Sequence, residues 1–168
     1  MRSTISVVGI GEILWDLVPS GLQLGGAPAN FAYCSHLLGN HALVVSRVGS
    51  DDLGADIRSR LQSVGMSDRF LQTDPVHATG TVCVELSSSG QPSFRVAYPA
   101  AWDFLESSEA IESLAQSADA VCFGSLAQRS PDSRHAILTF PDSTPRDTLR
   151  IFDANLRQCF YSAKSLPF

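Results

Sequence analysis

The residues best placed to do chemistry gather around Leu24-Gly25-Gly26-Ala27-Pro28-Ala29-Asn30-Phe31-Ala32. Two adjacent glycines let a backbone turn and approach a ligand with no Cβ in the way, and Pro28 presets φ for a first helical turn. Phe31, Cys34, Leu37 and Leu38 follow at helical spacing, with Gly39 as the stop. Asn30 therefore falls in the first turn of a helix, where free N–H groups and the positive end of the dipole also point. That arrangement suits a polyol or an anion. Just upstream, Leu14, Asp16 and Val18 alternate with Trp15 and Leu17, Pro19-Ser20-Gly21 turns the chain, and Leu22-Gln23-Leu24 returns. The pattern predicts a β-hairpin that carries the Asp16 carboxylate to the Gly25-Gly26 loop. A lone aspartate on a strand is more often a solvated surface residue, but aspartate is depleted in strands and this one shares a face with two apolar neighbours.

A second polar constellation lies far along the chain. Leu149-Arg150-Ile151-Phe152 reads as a strand that ends in Asp153-Ala154-Asn155-Leu156-Arg157. Polar groups beyond the carboxyl end of a strand in an open α/β sheet point into the ligand crevice.

The elements that must position these groups follow a βα grammar. Apolar runs near residues 5–10, 42–48, 120–124 and 149–153 predict four buried parallel strands. Helices are predicted from Asn30, over Leu53, Ile57, Leu61 and Val64 with Gly65 as the stop, over 110–117, and over 131–138. Ser50-Asp51-Asp52 supplies capping residues, a stronger reading of these carboxylates than catalysis. Between the βα units, Thr81–Leu86 and Ser93–Tyr98 alternate on either side of a polar turn, predicting a second antiparallel hairpin whose apolar face needs cover. A dinucleotide fingerprint fails because Leu14 stands where the third glycine belongs, and neither a P-loop nor a nucleophile elbow occurs.

Bulk properties narrow the partners. At 168 residues, 44% hydrophobic and 17% charged, the chain can bury a core. A formal charge of −5 with scattered basic residues argues against nucleic acid. Cys34, Cys83, Cys122 and Cys159 form no C-x-x-C pair, and His36, His41, His77 and His135 show no ligand spacing, so neither a disulfide framework nor a metal site is expected. No apolar stretch is long enough for a membrane helix or a signal-peptide core, and a cytoplasmic location is expected.

Gly11-Glu12-x-x-x-Asp16, Gly25-Gly26-Ala27-Pro28-Ala29-Asn30 and Phe152-Asp153-Ala154-Asn155-Leu156-Arg157 occur in that order. Together they resemble the ribokinase-like (phosphofructokinase B type) carbohydrate kinases, most closely the fructokinase branch, over residues 5 to about 162. The resemblance implies a Rossmann-type α/β parallel sheet with a small antiparallel β lid formed by residues 13–24 and 81–98, the lid closing over the sugar and able to clasp a second copy in a homodimer. It further implies ATP-dependent phosphorylation of a sugar hydroxyl with Mg2+. Asp16, Gly25, Gly26, Asn30, Gly49, Trp102 and Asn155 are the implied sugar-site residues, and Arg157 is a candidate phosphate contact. Trp102 reads equally well as a hydrophobic plug.

The family's second signature, Asp-Thr-x-Gly-Ala-Gly-Asp, carries the general base and the anion hole, and it does not occur in residues 1–168. The chain is thus expected to be the N-terminal portion of one kinase domain, with the C-terminal part missing, an exposed sheet edge and no activity alone. A non-catalytic sugar-binding or partner-binding module derived from such a kinase is the alternative.

Overall fold

A computed structural model describes residues 4–86 and 92–154. Strand β1 (Ser6–Ile10) sits at the centre because it is apolar on both faces and can be covered on both. Strand β4 (His41–Gly49) and β5 (Leu71–Asp74) extend the sheet on one side, and β8 (Ala120–Gly124) and β9 (Leu149–Asp153) on the other. The order is β5-β4-β1-β8-β9, and every pair is parallel.

The four expected strands are all present, and β5 is an addition. Only Leu71 is apolar in Leu71-Gln72-Thr73-Asp74, so no alternation marks it. Tertiary contacts make it a strand instead: it pairs with Ser46–Gly49, and the Arg58 guanidinium donates to the Leu71 and Gln72 carbonyls and to Thr73 Oγ1.

Two helices fix the ends of the central strands. Helix α1 (Ala27–Leu37) starts at the Pro28 turn and stops at Gly39, whose φ of 87° is left-handed, as the sequence implied. Helix α2 (Asp52–Ser63) is capped by Asp51, which accepts from the Gly54 N–H at 2.8 Å. Asp51 also accepts from the Thr79 N–H and hydroxyl, tying the helix start to the segment that leads into the lid. These bonds hold its carboxyl below the usual range despite partial burial. Helix α3 (Glu109–Ala115) is capped by Ser108, and α4 (Pro131–Asp142) runs four residues beyond expectation, with Pro141 in its last turn.

The segments expected to form the lid make a separate four-stranded sheet of order β3-β2-β6-β7, built from β2 (Leu14–Val18), β3 (Gly21–Gly25), β6 (Thr81–Leu86) and β7 (Pro92–Val96). Both expected hairpins form, but the sheet is mixed rather than antiparallel, because β2 pairs with β6 in parallel. The chain returns to β2 through the long α1–β5 crossover, and such a return delivers strands in the same direction.

The lid and the parallel sheet meet where β1 passes α1. Gly9 lies against the Pro28 carbonyl so closely that a Cβ there would sit 2.7 Å from the carbonyl carbon, with the oxygen nearer still. Backbone cannot give way as a side-chain tip can. Gly9→Ala should therefore lower the unfolding free energy by about 1–3 kcal/mol, the usual cost of overpacking. A urea midpoint equal to wild type would show that α1 is free to move away from β1.

Candidate functional site

At the carboxyl end of β1, Gly11 and Glu12 leave the sheet and β2 begins. Asp16 on β2 stands opposite Gln23 of β3, and its carboxylate lies over Gly25, where any Cβ would collide with Oδ2. Gly26 has φ 106° and lies against the Glu12 carbonyl, leaving no room for a side chain. As the N-cap of α1, Gly26 offers no side-chain acceptor, and Glu12 supplies one from outside the helix: its Oε1 accepts the Ala27 N–H at 3.2 Å.

These groups converge on a cavity of about 180 Å3. Asp16 of β2, Val82 of β6, and Phe94 and Val96 of β7 share one face of the mixed sheet, and Glu12, Asn30 and the Gly26-Ala27 backbone line the cavity with them, together with Leu14 and Leu126. Among the described residues that line it there is no lysine or arginine.

Of the residues singled out from sequence, Asp16, Gly26 and Asn30 line this cavity, and Gly25 lies directly beneath Asp16. Gly49 does not line it. The Gly49 N–H donates to Thr79 Oγ1, and its Cα faces the 77–79 backbone. Trp102 also stands apart from it, with no exposed surface, its ring edge filling the space left by the missing side chain of Gly80. Asn155 and Arg157 lie outside the described residues.

Sequence reasoning missed the roles of Glu12 and Arg129. Glu12 is 2% exposed, and its Oε2 has no hydrogen-bond partner among the described residues. Burial pushes its pKa up to about 7, opposed by backbone hydrogen bonds, with Asp153 adding to the rise and Arg129 opposing it. An acidic residue that directly follows a central parallel strand was the available signal.

Arg129, on the turn after β8, makes a two-pronged pair with Asp103, Nε to Oδ1 at 2.7 Å and a terminal nitrogen to Oδ2 at 2.8 Å. It also donates to the Ala97 carbonyl and lies 4.0 Å from the Trp102 ring centroid. The end of the lid is thereby pinned to the parallel sheet. Among the described residues no cluster of three or more His, Cys, Asp or Glu could hold a metal ion. No helix among them is long and apolar enough to cross a membrane.

The model of the pfkB family carbohydrate kinases matches residues 21–166. The chain belongs to that family. It is 37% identical over 106 residues to a fructokinase of Escherichia coli, covering 60% of this chain and 34% of that protein. Among solved structures, it is similar to a Vibrio cholerae fructokinase in fructose-, ADP- and calcium-bound form, with TM-score 0.76, 28% identity, and coverage of 96% of this chain and 54% of that one. An uncharacterized sugar kinase from Pyrococcus horikoshii in complex with ATP gives TM-score 0.78 at 27% identity, covering 90% of this chain and 53% of that one. The chain thus spans about a third to a half of the length of these relatives.

Glu12 ties the site to stability. Its folded-state pKa is raised from 4.5 to about 7, so folding favours the neutral acid, and the native state binds the extra proton. Its contribution is therefore fully present below about pH 4.5 and is lost as pH rises through about 7. At about 1.4 kcal/mol for each tenfold change in proton affinity, the loss is about 3 kcal/mol. Denaturant unfolding of wild type and Glu12→Gln across this range should show the difference between them shifting in favour of the variant as pH rises, whereas a constant difference would mean that Glu12 is ionised throughout.

Proposed function

We propose that this chain forms the sugar-binding and lid half of an ATP-dependent fructokinase-like enzyme. The observation that carries the reading is the cavity at the end of β1: two carboxyl groups and an amide beside apolar residues of the mixed sheet, with no lysine or arginine among the described residues that line it. Such a donor set suits the hydroxyls of a neutral sugar and disfavours a substrate that already carries phosphate. The fructose named in the bound form of the Vibrio cholerae relative supports the ketohexose assignment.

The chemistry required of this half is positioning. Phosphoryl transfer depends on holding the accepting hydroxyl in line and excluding water while charge at the phosphate is stabilised. Asp16 and Asn30 orient the hydroxyls, and Val82, Phe94 and Val96 close over them. The second substrate, ATP with its Mg2+, supplies the phosphoryl group; Asn155 is assigned to the sugar and Arg157 to the phosphate. Trp102 acts as the packed support beneath Arg129, and Gly49 as the close turn that seats Thr79. A cytoplasmic setting accords with free thiols at Cys34, Cys83 and Cys122. Two copies pair through their lids, each covering the exposed Leu22 of the other.

Asp16→Ala should weaken D-fructose binding, measured by calorimetry, by about 1–3 kcal/mol, because a sugar hydroxyl loses its hydrogen-bond partner. Wild type should also prefer D-fructose to its 6-phosphate. Equal affinity for both sugars, or an Asp16→Ala variant that binds as wild type, would overturn the assignment. Sedimentation velocity tests the assembly separately, a monomer at high concentration counting against lid pairing.

A further inference from the structure

We propose that Glu12 is itself a substrate contact, its Oε2 hydrogen-bonding a hydroxyl of the sugar held against Asp16 and Asn30. The inference rests on the sugar-site reading above and adds to that site a residue which neither the glycine-asparagine motif nor the comparisons assign.

The argument begins with an unbalanced carboxyl. Oε1 caps α1 through the Ala27 N–H, and Oε2, equally buried, has no partner among the described residues. Buried polar atoms without partners are rare in native proteins, and each needs a cause. A purely structural cap would need only one oxygen. Here the second oxygen belongs to a residue that lines the same cavity as Asp16 and Asn30. A polyol placed there gives Oε2, which has no partner among the described residues, a hydrogen bond at a buried carboxyl.

The charges around Glu12 set the direction of that bond. Asp153 faces it from β9 and Arg129 from the turn after β8, the former raising and the latter lowering its proton affinity. Asp16 shares the cavity from β2, the Cys122 thiol on β8 is pushed up to about 12 chiefly by burial, and α1 contributes only the Ala27 N–H and the uncharged Asn30. With burial pushing the Glu12 carboxyl up to about 7, its neutral form is substantially populated near neutrality. Neutral Glu12 keeps Oε1 as acceptor for Ala27 and donates through Oε2. Asp16, across the cavity, is the complementary acceptor. The sugar thus meets one donor and one acceptor, and ionisation of Glu12 removes the donor, so affinity should fall as pH rises past about 7.

The test is calorimetric titration of the whole chain with D-fructose, between about pH 6 and about pH 8.5, for wild type, Glu12→Ala, Glu12→Gln and Asp16→Ala. Glu12→Ala should weaken binding about tenfold at the lower pH. Glu12→Gln, which keeps a donor and an acceptor, should bind within about threefold of wild type and lose the decline at high pH. Against a series of monodeoxyfructoses, wild type should reject one analogue that Glu12→Ala no longer distinguishes from fructose, a readout that a capping role alone would not move. A folded Glu12→Ala variant that binds fructose as wild type overturns the proposal. Should that variant fail to fold, a Glu12→Gln variant that keeps the wild-type pH profile overturns it instead. Loss of binding in Asp16→Ala with none in Glu12→Ala removes Glu12 and leaves the sugar site standing. Absence of fructose binding by wild type removes both.

Discussion

The structure depends on a backbone-to-backbone contact between the end of β1 and the start of α1. Gly9 meets the Pro28 carbonyl, and Gly26 meets the Glu12 carbonyl. No side chain fits at either point, so the strand and the helix approach as closely as their main chains allow. That approach brings the first turn of α1 over the carboxyl end of the sheet. It also puts the Ala27 N–H within reach of Glu12 and places Asn30 on the same cavity as Asp16. The third glycine, Gly25, lets the Asp16 carboxylate lie flat against the loop. The nonapeptide is thus a packing solution first, and its binding groups follow from it.

A second constraint fixes the lid relative to this frame. Arg129 and Asp103 are each about 1% exposed, and burying two such charges is tolerable only with full pairing. Asp103 accepts two guanidinium donors and the Ala100 N–H, while the guanidinium also reaches the Ala97 carbonyl and stacks near Trp102 and Tyr98. One side of this cluster belongs to the segment that leaves β7, and the other to the turn that leaves β8. The far end of the lid is therefore anchored to the parallel sheet by a bidentate geometry that a lysine could not reproduce.

How far the sequence alone reads depends on whether the cause of a feature is local. The Pro28 start and Gly39 stop of α1, the Asp51 cap and the apolar runs of β1, β4 and β8 are local and were readable. Strand β5 was not, since its partners are β4 and the Arg58 guanidinium, and no alternation of its own marks it. The parallel pairing of β2 with β6 was hidden because a hairpin pattern describes its own two strands and not its neighbour. Trp102, implied as a sugar contact or a plug, is fully buried against Gly80 and Arg129, and the sequence showed neither neighbour to be near. Glu12 was the largest omission at the site. Its importance arises from complete burial and a helix start fifteen positions away, and neither is visible in a window of a few residues.

The cavity and the buried acid lie side by side. Apolar residues at 82, 94 and 96 border the space that Glu12, Asp16 and Asn30 also line, but only Glu12 is fully buried, Asp16 being half-buried and Asn30 exposed. Burial makes a charge on Glu12 costly, which is the main reason its pKa rises. A cation against the carboxyl would relieve that cost, and the described residues that line the cavity include no lysine or arginine. Under the proposed sugar reading, neutral Glu12 donates and Asp16 accepts, so recognition rests on the directions of hydroxyl groups rather than on net charge.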